Sequence, residues 1–260
     1  MPIGIFDSGI GGLTVFKEIN KTFPNADIYY LGDTARVPYG NKSKDTIIRY
    51  SLECANYLRN FDIDVLVIAC NTASSHALDI LKKQLDIEVI GVIEPGVDTA
   101  LKYTKNNKIG VIGTQATIRS NAYKNKLLEK KENLEIHQKP CPLFVPLVEE
   151  GMIDNKIAEL VIKEYLDDIV NKGIDTLILG CTHYPLLKDT IQRIYPNINI
   201  VDSSKATAEY LKKYCNDFNE NGIKKVFITD ESQNFVKLKN FLIGENIPVE
   251  KLELNRLCSL

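Results

Sequence analysis

Short β-rich runs alternate with longer helical patterns along almost the whole chain, and this alternation restricts the fold more than any other feature. Parallel strands need a long crossover, usually a helix, so the pattern specifies right-handed βαβ units and a mainly parallel sheet. It predicts strands near residues 3–6, 28–31, 65–69, 88–92, 108–112, 135–139, 176–179, 199–201 and 225–228. Helices are predicted between most of them. Over 45–59, Ile48, Leu52, Ala55 and Leu58 fall at helical spacing, and over 155–171 so do Ile157, Leu160, Val161, Tyr165 and Ile169.

A weak internal repeat sharpens this expectation. Ile63-Asp64-Val65-Leu66-Val67-Ile68-Ala69-Cys70-Asn71-Thr72 aligns with Ile174-Asp175-Thr176-Leu177-Ile178-Leu179-Gly180-Cys181-Thr182-His183, at an offset of 181 − 70 = 111. The same offset relates Ile87-Glu88-Val89-Ile90 to Ile198-Asn199-Ile200-Val201, so it spans a βαβ unit. Ile3-Gly4-Ile5-Phe6-Asp7-Ser8 also resembles Ile109-Gly110-Val111-Ile112-Gly113-Thr114. Buried parallel strands look alike for trivial reasons, being apolar runs that end in a small residue. A true repeat means two similar three-layer α/β domains with mainly parallel sheets. Ligands bind beyond the carboxyl ends of such strands, so two domains packed face to face put Cys70 and Cys181 in one cleft. The Glu94-Pro95-Gly96 segment reads as a turn where the chain crosses between them.

The chain has 260 residues, enough for one large or two modest domains, and a formal charge of 32 − 34 = −2. That balance supplies no global field for nucleic acid or an anionic membrane. The longest apolar runs are far shorter than a membrane span, and the amino terminus runs into an apolar strand at Ile3 without a basic leader, so a cytosolic protein is expected. The six cysteines form neither a tight framework nor a C-x-x-C pair, which favours free thiols in a reducing compartment.

Polar residues collect at the predicted strand ends. Cys70 follows an apolar run and precedes a helix expected to begin near Ser74, a position that favours thiolate through the helix dipole and amide hydrogen bonds. Cys181 repeats the arrangement, with Thr182 and His183 beside it. A buried structural thiol is the ordinary account of either cysteine alone. Two equivalent thiols at strand ends weaken that account. Asp7-Ser8-Gly9-Ile10-Gly11-Gly12 is an incomplete dinucleotide fingerprint, because Thr14 stands where a third glycine belongs and Asp7 would repel a pyrophosphate. The glycines fit close approach to a small ligand, with Asp7 as an acid/base or an ammonium partner. Ser8, Asp33, Asn71, Thr72, Thr114, Thr117 and Thr182 add hydroxyls, an amide and a carboxylate; helix capping is the competing account. The Tyr39-Gly40 loop offers a phenol that closes over a ligand, or a packing tyrosine, and Glu149 is either exposed or catalytic. A zinc site from Cys70, His76, Cys181 and His183 lacks a close pair of ligand motifs. Cys54, Cys141, Cys215 and Cys258 read as structural or incidental.

Asp7-Ser8-Gly9-Ile10-Gly11-Gly12, Tyr39-Gly40, Ala69-Cys70-Asn71-Thr72 and Gly180-Cys181-Thr182-His183-Tyr184-Pro185 resemble, in order, the signature blocks of the glutamate racemase family. The resemblance implies two α/β domains related by a pseudo-two-fold axis, with one active site between them. Residues 1–93 with 207–260 would form a discontinuous first domain and 94–206 the second. It implies a homodimer, no cofactor or metal, and production of D-glutamate for peptidoglycan. Carried over residue by residue, it makes Cys70 and Cys181 the acid/base pair, with Asp7 assisting Cys70, and His183 and Glu149 assisting Cys181. Ser8, Tyr39, Gly40, Asn71, Thr72, Thr114, Thr117, Thr182 and His183 would then contact substrate together with Asp7. An aspartate-specific member of the group, a pyridoxal-phosphate racemase and a nonenzymatic amino-acid-binding protein are the competing functions. No lysine-centred cofactor site is evident for the second, and the third does not need two facing thiols.

Overall fold

The computed structural model describes residues 1–214 and 222–258. Among the described residues ten strands form two sheets: β1 Ile3–Asp7, β2 Ile28–Gly32, β3 Val65–Ile68, β4 Glu88–Gly91, β5 Lys108–Gly113, β6 Glu135–Pro140, β7 Thr176–Gly180, β8 Asn199–Asp202, β9 Lys224–Ile228 and β10 Val249–Lys251. The first sheet runs β10-β9-β2-β1-β3-β4 and the second β6-β5-β7-β8, and every pairing is parallel.

The internal repeat is visible in the register. Ile3 pairs with Val65 and Val65 with Glu88 in the first sheet; Ile109 pairs with Thr176 and Thr176 with Asn199 in the second. Side chains alternate between the two faces accordingly. Leu66, Ile68 and Cys70 join one core cluster while Val65, Val67 and Ala69 join the cluster on the opposite face. In the second sheet Leu177, Leu179 and Cys181 share a face, with Ile178 on the other. Equivalent strands thus deliver the two thiols at equivalent positions.

The crossing between sheets differs from the expected turn. Glu94, Pro95 and Gly96 lie in the first turn of the helix Ile93–Tyr103, where a proline ring is tolerated because the first amide groups have no intrahelical partner. The return connection is the helix Ser203–Leu211, which packs against it. The strand β10 was not expected, because Val249-Glu250-Lys251 has no apolar run and forms a half-exposed edge. Among the described residues no helix is long and apolar enough to cross a membrane.

Candidate active site

The carboxyl ends of β1, β3, β5 and β7 converge where the two sheets face one another. A chamber of about 20 Å³ there is lined by Ser8, Tyr39, Gly40, Cys70, Asn71, Thr72, Thr114, Cys181, Thr182 and His183, closed by Val37, Pro38 and Val145. That is the room of about one water molecule. A groove of about 440 Å³ shares Val37, Pro38, Gly40, Thr114 and Val145 with it and continues past Glu149 and Tyr184.

The helix after β3 begins earlier than expected, at Asn71, and Cys70 is itself the cap: its sulfur accepts the Ala73 amide at 3.4 Å. Its thiol donates to the Ser8 hydroxyl at 3.5 Å. These contacts do not produce the low pKa expected for a thiol at a helix start. Burial, reinforced by the nearby Asp7 charge, outweighs them and pushes Cys70 up to about 12.

Cys181 departs from the symmetry of the strands. A short turn of 3₁₀ helix, Tyr184–Leu187, comes after it in place of a long α-helix, so its neighbour is a side chain. His183 Nδ1 lies 3.9 Å from the sulfur, and His183 Nε2 is 3.1 Å from Glu149 Oε1. Burial alone disfavours the imidazolium, but the Cys181 sulfur and the Glu149 carboxylate outweigh it and push His183 up to about 10. Glu149, half-buried, keeps its other side toward the outer groove.

The glycine-rich loop wraps its own aspartate. Gly9 and Gly12 each donate a backbone amide to Asp7 Oδ2 at 3.0 Å, so two donors that would face a bound phosphate are turned inward. Asp7 Oδ1 accepts from the Thr182 hydroxyl at 3.3 Å, which ties the two halves together. Burial raises the Asp7 pKa in spite of His183 and these donors. The carboxylate acts on Cys70 by charge, its hydrogen bonds running elsewhere. Gly11 is required by packing: a Cβ there would stand 2.4 Å from Thr182 Oγ1 and 2.5 Å from His183 Nδ1.

Thr72, Thr114 and Thr117 form a triangle of hydroxyls at 2.9, 3.1 and 3.0 Å, bridging the two halves, and Thr114 also caps the helix Gln115–Arg119. Capping and site-lining therefore coexist. Asn71 Oδ1 accepts from the buried phenol of Tyr123 at 2.6 Å, a residue that the strand-end pattern does not single out. Tyr39 lines the chamber, but its phenol does not close over it, since it donates to Asp33 on the far side. Asp33 is likewise turned toward Arg36, Tyr39 and Thr229, away from the thiols. His76 lies in a separate groove with Lys42, Lys44 and Arg119, so the four side chains of the zinc alternative are not brought together. Cys54 and Cys141 are buried outside the chamber; Cys215 and the Cys258 side chain lie outside what the structure describes.

The sequence pattern of Asp/Glu/Hydantoin racemases matches residues 3–211. The chain belongs to this racemase family. Within it, the glutamate racemase of Persephonella marina is 69% identical over 260 residues, the whole of both chains. A glutamate racemase isoform from Bacillus anthracis superposes with a TM-score of 0.92 at 38% identity over 97% of each chain. The Francisella tularensis glutamate racemase, solved in complex with D-glutamate, superposes at 0.90 with 39% identity over 98% of each chain. By this kinship the chain is an isomerase of the amino-acid racemase class.

Proposed function

We propose that this racemase interconverts L- and D-glutamate without a cofactor, with Cys70 and Cys181 as paired acid and base on opposite faces of the α-carbon. The observation that carries the reading is the meeting of two thiols from equivalent strand ends in one chamber, each with its own proton machinery. Glutamate as substrate draws on the names of the full-length relatives and on the D-glutamate held by the Francisella tularensis enzyme.

In this mechanism one sulfur takes the α-proton as the other delivers a proton to the opposite face, and the roles exchange with the enantiomer. Cys70, pushed up to about 12, holds its proton, while Cys181 faces an imidazolium that Glu149 stabilises. A thiol that keeps its proton on one side thus stands opposite a sulfur held beside an imidazolium on the other. The charge of Asp7 helps keep the proton on Cys70. Ser8, Asn71, Thr72 and Thr114 offer the substrate's carboxylates hydroxyl and amide donors, which stabilise the carbanionic transition state in a site shielded from water. Thr117 is bonded to both threonines outside the chamber lining, and Thr182 is held by Asp7. Ligand pockets of ordinary size run to about 300 Å³ or more, so a chamber of about 20 Å³ admits glutamate only by parting the walls it shares with the outer groove. The same reading makes residues 1–93 with 207–260, and 94–206, the two domains of a cytosolic homodimer that supplies D-glutamate to peptidoglycan.

The test is incubation of the purified protein with L-glutamate in D2O, following optical rotation and α-deuterium together. Racemisation with solvent deuterium at the α-carbon, abolished in both Cys70→Ala and Cys181→Ala, is expected. Racemisation that survives unimpaired in either variant refutes the two-thiol mechanism, and no exchange from either enantiomer by the wild-type protein discards glutamate, making aspartate the next substrate.

A further inference from the structure

We propose that Tyr123 is a positioning residue for this reaction: its phenol sets which end of the Asn71 amide faces the substrate. The inference rests on the proposed function and adds to it a residue outside the chamber wall. Asn71 is 2% exposed and lines the chamber beside Cys70. Its Oδ1 is taken by the Tyr123 hydroxyl, whereas its Nδ2 is buried without a partner among the described residues. A buried donor left without an acceptor is costly, and such a donor is retained where a ligand supplies the acceptor. A carboxylate oxygen of the substrate does so here.

A primary amide has two ends of similar shape, and rotation by half a turn would point Oδ1 at that carboxylate, replacing attraction with repulsion. The phenol forbids this rotation. Burial raises the phenol's pKa, so it stays a donor through the neutral range. The ring itself has little freedom. It is 1% exposed and lies against two glycines: a Cβ on Gly180 would be 3.1 Å from its Cε2, and one on Gly96 would be 3.5 Å from its Cε1. Tyr123 rises from the helix Ala122–Lys130 beside the second sheet, while Asn71 starts the helix after β3 in the first. The bond therefore orients the amide only when the two halves are together.

Tyr123→Phe removes one hydroxyl and keeps the ring. The expected result is a rise of about tenfold in KM for both glutamate enantiomers, with a smaller change in kcat, as for a lost hydrogen bond to a charged group present in ground and transition states alike. The decisive readout is coupling. In an Asn71→Ala background, Tyr123→Phe should add less than about twofold, because the group it orients is gone. Effects that multiply, or an unchanged KM in Tyr123→Phe, overturn the proposal even if the thermal midpoint falls, since a lowered midpoint alone is what a merely structural tyrosine would show. Calorimetric binding of D- and L-glutamate is measured on the same proteins. A wild-type chain that binds glutamate but fails to exchange its α-proton refutes the proposed function, and the ratio of binding constants still decides the role of Tyr123. A wild-type chain that neither exchanges nor binds glutamate overturns both.

Discussion

Replacing Gly11 with alanine tests how tightly the two halves close on the proposed catalytic residues. The added Cβ would stand 2.4 Å from Thr182 Oγ1 and 2.5 Å from His183 Nδ1, where ordinary contact begins at 3.4 Å, so one side must retreat by 3.4 − 2.4 = 1.0 Å. Neither neighbour is free to do so. Thr182 donates to Asp7 and its carbonyl accepts from Thr14, while His183 is held by Glu149. Overpacking of this kind costs about 1–3 kcal/mol, and a displacement of about 1 Å at a reacting group costs on the order of 100-fold in rate. The expected phenotype is a lowered urea midpoint and a roughly 100-fold loss of kcat, with the native circular dichroism retained. Gly11→Ala with wild-type racemisation and an unchanged midpoint would refute the reasoning, showing that Thr182 and His183 move aside without consequence.

Glu149→Gln keeps the shape of the side chain but removes the charge that helps hold His183 up at about 10, so the alkaline limb of kcat/KM should move toward lower pH. A loss of about 100-fold in kcat accompanies it, and a pH profile that stays in place would show that Glu149 does not act through the imidazole. His183 also makes stability depend on pH. Its folded-state pKa lies above the ordinary 6.5, so the stabilisation is fully present below 6.5 and is lost as pH rises toward about 10. Cys70, raised from the ordinary 9.0, adds a fall of the same sign that begins only as pH nears 9.0, so urea midpoints should already fall from 6.5 upward and fall less in His183→Gln. A slope that His183→Gln leaves intact would locate the titration elsewhere. Cys54→Ala should cost about 1 kcal/mol of stability and leave racemisation within about twofold, because that thiol is buried near the Tyr39 hydroxyl outside the chamber; a tenfold loss of rate would bring Cys54 into the reaction.

The residues read most directly from sequence are those whose placement is dictated by strand periodicity. Leu66, Ile68 and Cys70, and Leu177, Leu179 and Cys181, obey the period of two and end at the same edge, so one alignment located both thiols. Periodicity carries no information about the segment after a strand. Cys70 caps a long helix and Cys181 enters a 3₁₀ turn, a difference set by Tyr184-Pro185 and by packing against the 144–149 helix. The thiol at the helix start invited a low pKa because dipole and amide effects are local and legible. Burial and the charge of Asp7, which reverse the sign, come from the folded whole. Tyr39 illustrates the same limit: its loop was evident, but the direction of its phenol depends on Asp33 and Thr229, whose proximity arises only when β9 joins β2. Glu94-Pro95-Gly96 looked like a turn because Pro and Gly usually mark one, yet proline is also suited to the first turn of a helix, and local composition does not separate the two. Tyr123 sits in a helix whose pattern announces nothing; only the space left by Gly96 and Gly180 shows why a large ring belongs there.

The two halves match in strand order but not in proton chemistry, and under the two-thiol mechanism this asymmetry has a restricted outlet. L- and D-glutamate are mirror images with equal free energies in water, so the equilibrium constant is one and kcat/KM must be the same in both directions. Cys70 is surrounded by Ser8, the Ala73 amide and Asp7, whereas Cys181 is paired with His183 and Glu149. Unequal surroundings favour one arrangement of thiol and thiolate in the resting protein, so one enantiomer meets the ready form and the other must first bind a minor form or shift it. The expected signature is two unequal kcat values offset by KM values in the same ratio. Initial rates from each pure enantiomer measure it directly. Equal kcat values in the two directions would mean that the His183–Glu149 pair and the Asp7–Ser8 pair are energetically equivalent despite their different chemistry, and the assignment of Cys70 as the resting thiol would then fail.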